Sequence, residues 1–356
     1  MPELFDPFTQ RSVTLRNRIG ISPMCQYSAV DGVPNDWHFT HLTSRAVGGA
    51  GLVFTEATAV EPRGRISPAD TGIWNDAQAQ AWAHIAAFVN AHGAVAGIQL
   101  AHAGRKASTP PPWEKGRVVR PEDSGWTPVG PSAVAFDEHS PRPAELSGEA
   151  IAGVREAFVA AAKRAVAAGF KVIELHAAHG YLFHSFVSPL SNRRTDAYGG
   201  SFDNRVRIVV ETAKAVRAAV PEALPLWARL SCTDWTEGGW TLDDSVELAR
   251  RLKAVGVDVI DCSTGGNVPK AKIPVGPGYQ VPFAERIRRE AEIATAAVGM
   301  IDQAEQAAGV VRDGKADVVL IARQSLRDAY WPLHVAKTLG VGDRLRPPKQ
   351  YGRAFD

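Results

Sequence analysis

Eight short apolar runs, separated by longer helix-forming stretches, recur from end to end of this chain, and that rhythm constrains its fold more than any other feature. The runs are Arg18 to Ser22, Gly51 to Glu56, Val95 to Leu100, Lys171 to Leu175, Leu226 to Leu230, Val257 to Asp261, Thr295 to Gly299 and Asp317 to Ile321. They are near-continuous rather than alternating, as parallel strands covered on both faces are. Helices are expected from Asp76 to His92, Gly148 to Ala168, Asn204 to Val220, Leu242 to Val255, Gln303 to Arg312 and Trp331 to Leu339. Turns such as Ala168-Gly169 and Val255-Gly256 stand where a helix hands over to a strand. A β/α repeat without a break in composition predicts a single closed (β/α)8 TIM barrel over residues 1–356. The competing architecture, an open doubly wound sheet, would carry a Gly-x-Gly-x-x-Gly turn if it bound a dinucleotide. The nearest candidate, Gly49-Ala-Gly51-Leu-Val-Phe54, fails at its last position.

Composition narrows the function. With 356 residues, 45% of them hydrophobic, the chain can bury a large core. A net charge of +2, with 22% charged residues, leaves no footprint for nucleic acid or a membrane surface. The first ten residues, Met1 to Gln10, lack the basic and apolar regions of a secretory leader, and no segment reads as a membrane span. Cys25, Cys232 and Cys262 form no Cys-x-x-Cys pair, which argues against a disulfide framework and against a zinc or iron–sulfur knuckle. A cytoplasmic protein acting on a small molecule is expected.

One segment breaks the rhythm. Residues 103–146 hold eight prolines, among them Pro110, Pro111 and Pro112, and cannot form an ordinary helix. Loops this long inside a compact domain are usually functional. Leaving from the C-terminal end of the third strand, this one is expected to cap the barrel mouth; a surface decoration is the alternative.

The chemistry concentrates after the fourth strand, in His176-Ala-Ala-His179-Gly-Tyr181. Barrel enzymes keep their active sites at such strand ends. Two imidazoles could hold a substrate carbonyl oxygen and stabilise the enolate formed as hydride adds to the β-carbon. Tyr181 could then give a proton to the α-carbon; an aromatic merely packed on the next helix is the other reading. As metal ligands the histidines would suit a hydrolase or aldolase, but neither His-Glu-x-x-His nor its inverse is present. His38 and His41 share the same spacing within Trp37-His38-Phe39-Thr40-His41-Leu42, which reads as a buried helical face with satisfied core histidines.

The segment from His176, continued by Asn192-Arg-Arg-Thr-Asp-Ala-Tyr198-Gly-Gly-Ser-Phe-Asp-Asn-Arg205, resembles the signature of the Old Yellow Enzyme family, flavin-dependent reductases of activated alkenes. Asn17 to Tyr27, with Ser22-Pro23-Met24-Cys25-Gln26-Tyr27, is similar to the first-strand motif of the family's thermophilic-like subgroup. The resemblance runs over nearly the whole chain. It implies FMN as cofactor, NADPH or NADH as hydride donor, and an enone, maleimide or nitroalkene as substrate. It places Ser22, Pro23, Met24, Cys25, Ala57, Gln99, Arg229, Gly299, Ala322 and Arg323 at the flavin. Cys25 would tune the flavin's potential, Ala57 would set backbone against it, and Gln99 would pair with its pyrimidine edge. Arg229 would stand beside N1 and the C2 carbonyl, where a fixed cation eases hydride storage. Gly299 and Arg323 fall after the seventh and eighth strands, where barrels hold phosphate. Ala322 departs from the glycine common there, so the phosphate contact is less secure at that position. Tyr27, His176, His179 and Arg353 are assigned to the substrate, with Tyr181, His176 and His179 catalytic. Arg353 lies in a tail, residues 341–356, that such relatives insert into a neighbouring subunit, so a homo-oligomer (a dimer or tetramer) is expected.

Read without the resemblance, Cys25 is an inert buried thiol, Arg229 one half of a structural ion pair whose partner the sequence does not name, and Arg353 part of a solvated tail. The functions in competition are an FMN-dependent ene-reductase, a metal-dependent hydrolase or aldolase, and a flavin carrier without activity. Clustered cysteines for an iron–sulfur centre are absent, so a single-cofactor enzyme is expected.

Overall fold

In the computed structural model, which describes residues 1–116 and 118–355, each of the eight apolar runs contributes one strand of a closed parallel barrel. The strands are β1 (Ile19–Ile21), β2 (Leu52–Ala59), β3 (Val95–Ala101), β4 (Val172–Ala177), β5 (Leu226–Ser231), β6 (Val259–Ser263), β7 (Ala294–Val298) and β8 (Val318–Ile321). Every strand pairs with its neighbour in sequence, and β8 closes on β1 through Val319↔Ile19, Leu320↔Gly20 and Ile321↔Ile21. A helix follows each strand: α1 (Asp36–Val47), α2 (Asp76–Ala91), α3 (Gly148–Ala167), α4 (Phe202–Ala219), α5 (Leu242–Ala254), α6 (Val281–Ala291), α7 (Ala304–Arg312) and α8 (Trp331–Thr338). The TIM barrel expected from the sequence is the fold found.

Two local expectations need correction. Strand β2 does not end at Glu56 but runs on to Ala59, because a register shift against β3 between Phe54 and Ala57 re-aims it without ending the pairing. Likewise β5 continues one residue beyond Leu230, through Ser231. Helix α6 escaped the sequence reading. Its charged sequence hides a narrow apolar stripe of Val281, Ala284, Ile287 and Ala291, all buried, and Pro282 stands in its first turn, where a missing N–H costs nothing.

Both faces of the strands are filled. Outward residues pack on the helices in one continuous cluster. Inward residues near the strand starts, including Leu52, Phe54, Val95, Val172, Trp227, Val259, Val318 and Leu320, form a second. An N-terminal hairpin, Phe8–Gln10 with Val13–Leu15, adds Phe8 and Leu15 to that interior cluster. Glycine makes the layer possible: a Cβ on Gly97 would come within 2.6 Å of the Phe54 ring. Because side chains alternate along a strand, the next inward positions are Gln99, Glu174, Arg229 and Asp261, followed by His176, Ser231 and Ser263. The barrel thus changes from apolar to polar toward its C-terminal mouth.

The proline-rich segment is ordered by its contacts. It contains a short two-stranded pair, Val129–Gly130 with Ala144–Glu145. Arg105 donates to Asn267 O (2.7 Å) and Oδ1 (3.0 Å) in the loop after β6, and to Val134 O (3.3 Å) within the segment itself. The C-terminal tail packs on the outside, where Phe355 stacks on His334 of α8 with centroids 6.0 Å apart. Among the described residues no helix is long and apolar enough to cross a membrane.

Candidate active site

His176 is the penultimate residue of β4, and the chain then bends sharply through His179 (φ 61°) and Gly180 (φ 76°). Gly180 has no alternative: a Cβ there would stand 2.2 Å from the carbonyl oxygen of Gly266. This close approach locks the His176–Tyr181 turn against the loop after β6. Lys106, from the start of the proline-rich segment, fastens the same junction by donating to His179 O (2.8 Å) and Gly266 O (3.0 Å).

The bend gathers the three groups singled out in the sequence. The His176 and His179 rings are 5.1 Å apart and almost perpendicular, and Tyr181 lies 5.0 Å from His176. Burial holds both imidazoles well below their usual titration range, and the nearby Arg229 cation lowers them further. Both are neutral at physiological pH and able to donate one N–H each. Burial also pushes the Tyr181 phenol well above its usual range, so it keeps its proton. The Lys106 ammonium sits 5.1 Å from the Tyr181 ring and 4.6 Å from that of Phe136; burial and the neighbouring Arg105 lower it to about 8.

Below them Arg229 meets the partner that the sequence did not name. Its Nε is 3.0 Å from Asp261 Oδ2 on β6, and its NH1 donates to Ser22 Oγ at 3.0 Å. Next to this pair, Gln99 Nε2 donates to Glu174 Oε1 at 2.8 Å, which leaves the Gln99 carbonyl oxygen without a partner among the described residues. Burial raises Glu174 well above the usual carboxylate range, with Asp261 adding to it, and burial raises Asp261 to about 6 against the pull of Arg229.

Cys25 and Tyr27 reach the mouth from the loop after β1. With Trp126 and Tyr181 they pack on a small apolar cluster of Ala57, Ile66, Ala101, Ala103 and Ala107. Pro23 and Met24 are half-buried beside them. Burial raises the Cys25 thiol well above its usual range, and the carboxylates Asp70 and Glu56 add to it, so sulfur stays protonated. His38, read as a satisfied core histidine, pairs with Glu56 at 3.1 Å and caps α1 through its Nδ1.

Two cavities open from this mouth. One, of about 320 Å³, is lined by Arg229, Ser263, Gly299, Ala322, Arg323 and Arg327, among others. Gly299 has φ 124°, and a Cβ on it would meet Gln280 Nε2 at 2.9 Å. The other, of about 350 Å³, runs from Tyr181 and Lys106 past Ile66 under the proline-rich segment, along Pro110, Pro111, Pro112 and Phe136. Among the sequence-derived candidates Arg353 stands apart, exposed on the C-terminal tail.

The residues missed from sequence are Glu174, Asp261 and Lys106. Two of them carried a signal, since a carboxylate inside a buried strand (Val-Ile-Glu-Leu, Val-Ile-Asp) must find a partner. As for the metal reading, no group of three or more His, Cys, Asp or Glu side chains that could hold an ion occurs among the described residues.

Comparison with known proteins bears on the same geometry. A profile of the NADH:flavin oxidoreductase / NADH oxidase family matches residues 3–341. An NADPH dehydrogenase of Listeria welshimeri is 48% identical over 357 residues, covering 100% of both chains. The solved structure of morphinone reductase superposes with a TM-score of 0.78 at 27% identity, over 98% of this chain and 92% of its own. A 2-naphthoyl-CoA reductase superposes with a TM-score of 0.87 at 25% identity over 94% of this chain; this chain spans 52% of that longer protein.

Proposed function

The chain belongs to the NADH:flavin oxidoreductase / NADH oxidase family, the Old Yellow Enzyme family, and on that premise we propose that it reduces the C=C bond of activated alkenes such as enones, maleimides and nitroalkenes. It is an oxidoreductase that uses FMN and a nicotinamide hydride donor. The residues present suit FMN. The arginine-lined cavity, with Gly299 in its wall, suits a phosphate. Arg229 supplies a cation held by Asp261, and Gln99 has a free amide oxygen to accept a ring N–H. Bound there, FMN would supply two-electron redox chemistry between the nicotinamide donor and the alkene.

The observation that carries the proposal is the trio His176, His179 and Tyr181 at one strand end. Two neutral imidazoles hold the substrate's carbonyl, imide or nitro oxygen by their N–H groups and draw electron density from the β-carbon. They stabilise the developing enolate without protonating it prematurely. Tyr181, kept protonated by burial, donates to the α-carbon. Tyr27 borders the substrate from the opposite loop, and Cys25 adjusts the flavin's potential as a neutral thiol. The segment 103–146 caps the site and keeps water out. Arg353, exposed on the tail, would complete a neighbouring subunit's site in a homo-oligomer. Three free cysteines fit a reducing, cytoplasmic setting.

The test is a turnover screen of cyclic enones, maleimides, nitroalkenes and nitrate esters with NADPH and with NADH, on protein whose FMN content is measured after denaturation. Stoichiometric FMN and saturated products from at least one alkene class are expected. Flavin that nicotinamide reduces but no alkene reoxidises would overturn the substrate assignment.

A further inference from the structure

Which ring nitrogens of the two histidines carry protons is decided by their neighbours. His176 is simple. Its Nδ1 accepts the backbone N–H of Ala178 at 3.2 Å, so the proton is on Nε2. His179 is subtler. Its Nε2 lies 2.7 Å from Ser263 Oγ at the end of β6, and its Nδ1 makes no hydrogen bond to the described residues. Ser263 could give its proton to the imidazole or receive one from it, and the neighbouring side chains settle the direction.

Gln280 orients the network. Its Nε2 donates to Val298 O at 3.0 Å, which turns its carbonyl oxygen toward Thr264 and Ser263. Thr264 Oγ1 donates to that oxygen at 2.7 Å. Ser263 Oγ is 3.4 Å away from it, outside the ~2.5–3.0 Å of an ordinary hydroxyl–oxygen hydrogen bond. The Ser263 proton therefore goes to its one close partner, His179 Nε2. A ring that accepts at Nε2 and is neutral must carry its proton on Nδ1. Gly299 takes part at a distance, since a Cβ there would stand 2.9 Å from Gln280 Nε2 and displace the amide that arranges these hydroxyls.

We propose that Ser263 is a positioning residue that sets the tautomer of His179, so that the imidazole turns an Nδ1–H donor rather than a bare nitrogen toward the open barrel mouth. With His176 presenting Nε2–H, the site then holds two donors and no acceptor. That suits a developing oxyanion and disfavours ligands that need to donate a proton of their own. The consequence for substrate binding rests on the histidine-pair reading above; the tautomer does not.

Nitrogen-15 NMR of histidine-labelled, FMN-loaded protein tests it, with His179→Gln to assign the resonances. In the wild type, His179 should show a protonated Nδ1 and an unprotonated Nε2, the reverse of His176. Ser263→Ala should move His179 toward the Nε2–H form and leave His176 unchanged, while Ser263→Thr, which keeps the hydroxyl, should restore the wild-type pattern. Affinity for 4-nitrophenol, a phenolate probe, should fall about tenfold in Ser263→Ala, since a hydrogen bond to a charged group is worth at least that, and recover in Ser263→Thr. An Nε2–H tautomer in the wild type, readable even if the alanine variant fails to fold, would overturn the proposal. A tautomer that follows Ser263 with unchanged phenol affinity would leave Ser263 in place and overturn the role given to His179.

Discussion

Arg229 and Asp261 face each other across β5 and β6 with 3.0 Å between Nε and Oδ2, and both side chains are almost wholly shut from solvent. Their register pairing, Asp261↔Arg229, makes the contact a property of the barrel rather than of flexible side chains. Burial lifts Asp261 to about 6, above its value in the unfolded chain. Between about pH 3.9 and pH 6 the native state therefore holds more protons than the unfolded one, and this group's contribution to stability is lost as pH rises through that window. In Asp261→Asn that component of the pH dependence should vanish from denaturant titrations. A variant with the same pH slope as the wild type would show that Asp261 is not the group that titrates in that window.

The imidazole pair makes a second claim. His176→Ala or His179→Ala should weaken phenol binding and slow alkene reduction by the equivalent of about 2.7–4 kcal/mol, the usual cost of one oxyanion donor. FMN content should be nearly unchanged, because neither ring lines the arginine-rich cavity. Full turnover in both variants would remove the pair from the mechanism.

Tyr181 should separate the two half-reactions. Flavin reduction by the nicotinamide needs no proton on carbon, whereas alkene reduction does. In Tyr181→Phe, stopped-flow bleaching of the flavin should stay within a few-fold of wild type, while reoxidation by an enone slows by roughly 10²–10⁴-fold. Nitroalkenes should be hampered less in the hydride step, since their anions survive long enough for water to protonate them. Equal slowing of both half-reactions would mean a structural role.

Cys25 is held as a neutral thiol by burial beside Asp70 and Glu56. Cys25→Ala should accordingly shift the flavin midpoint potential while the protein stays yellow and active at a changed rate. An unaltered midpoint, spectrum and rate would return the residue to packing alone.

Lys106 combines a buried ammonium with the rings of Tyr181 and Phe136, two loop carbonyls and the neighbouring Arg105. Its value of about 8 lies below the ~10.4 of an unfolded lysine. Over that interval the unfolded chain binds more protons, so the linked stability rises with pH. The wild type should gain thermal stability relative to Lys106→Met between about pH 8 and pH 10. A pH-independent difference between the two would place the titration elsewhere.

The eight strands and most of the helices were legible because burial writes itself locally, as apolar runs and 3.6-residue stripes. Position at a strand end points to His176, His179 and Tyr181 without recourse to any contact. Helix α6 was lost where charge outweighed a narrow stripe. The relationships that tune the site were decided by tertiary structure alone. Asp261 meets Arg229 because adjacent barrel strands lie in register, Ser263 reaches His179 from 84 residues away, and Lys106 ties the proline-rich segment to a carbonyl 73 residues on. No local pattern encodes such pairs: each partner is chosen by barrel closure, which brings together residues whose only common property in the sequence is a polar side chain near the end of a buried strand.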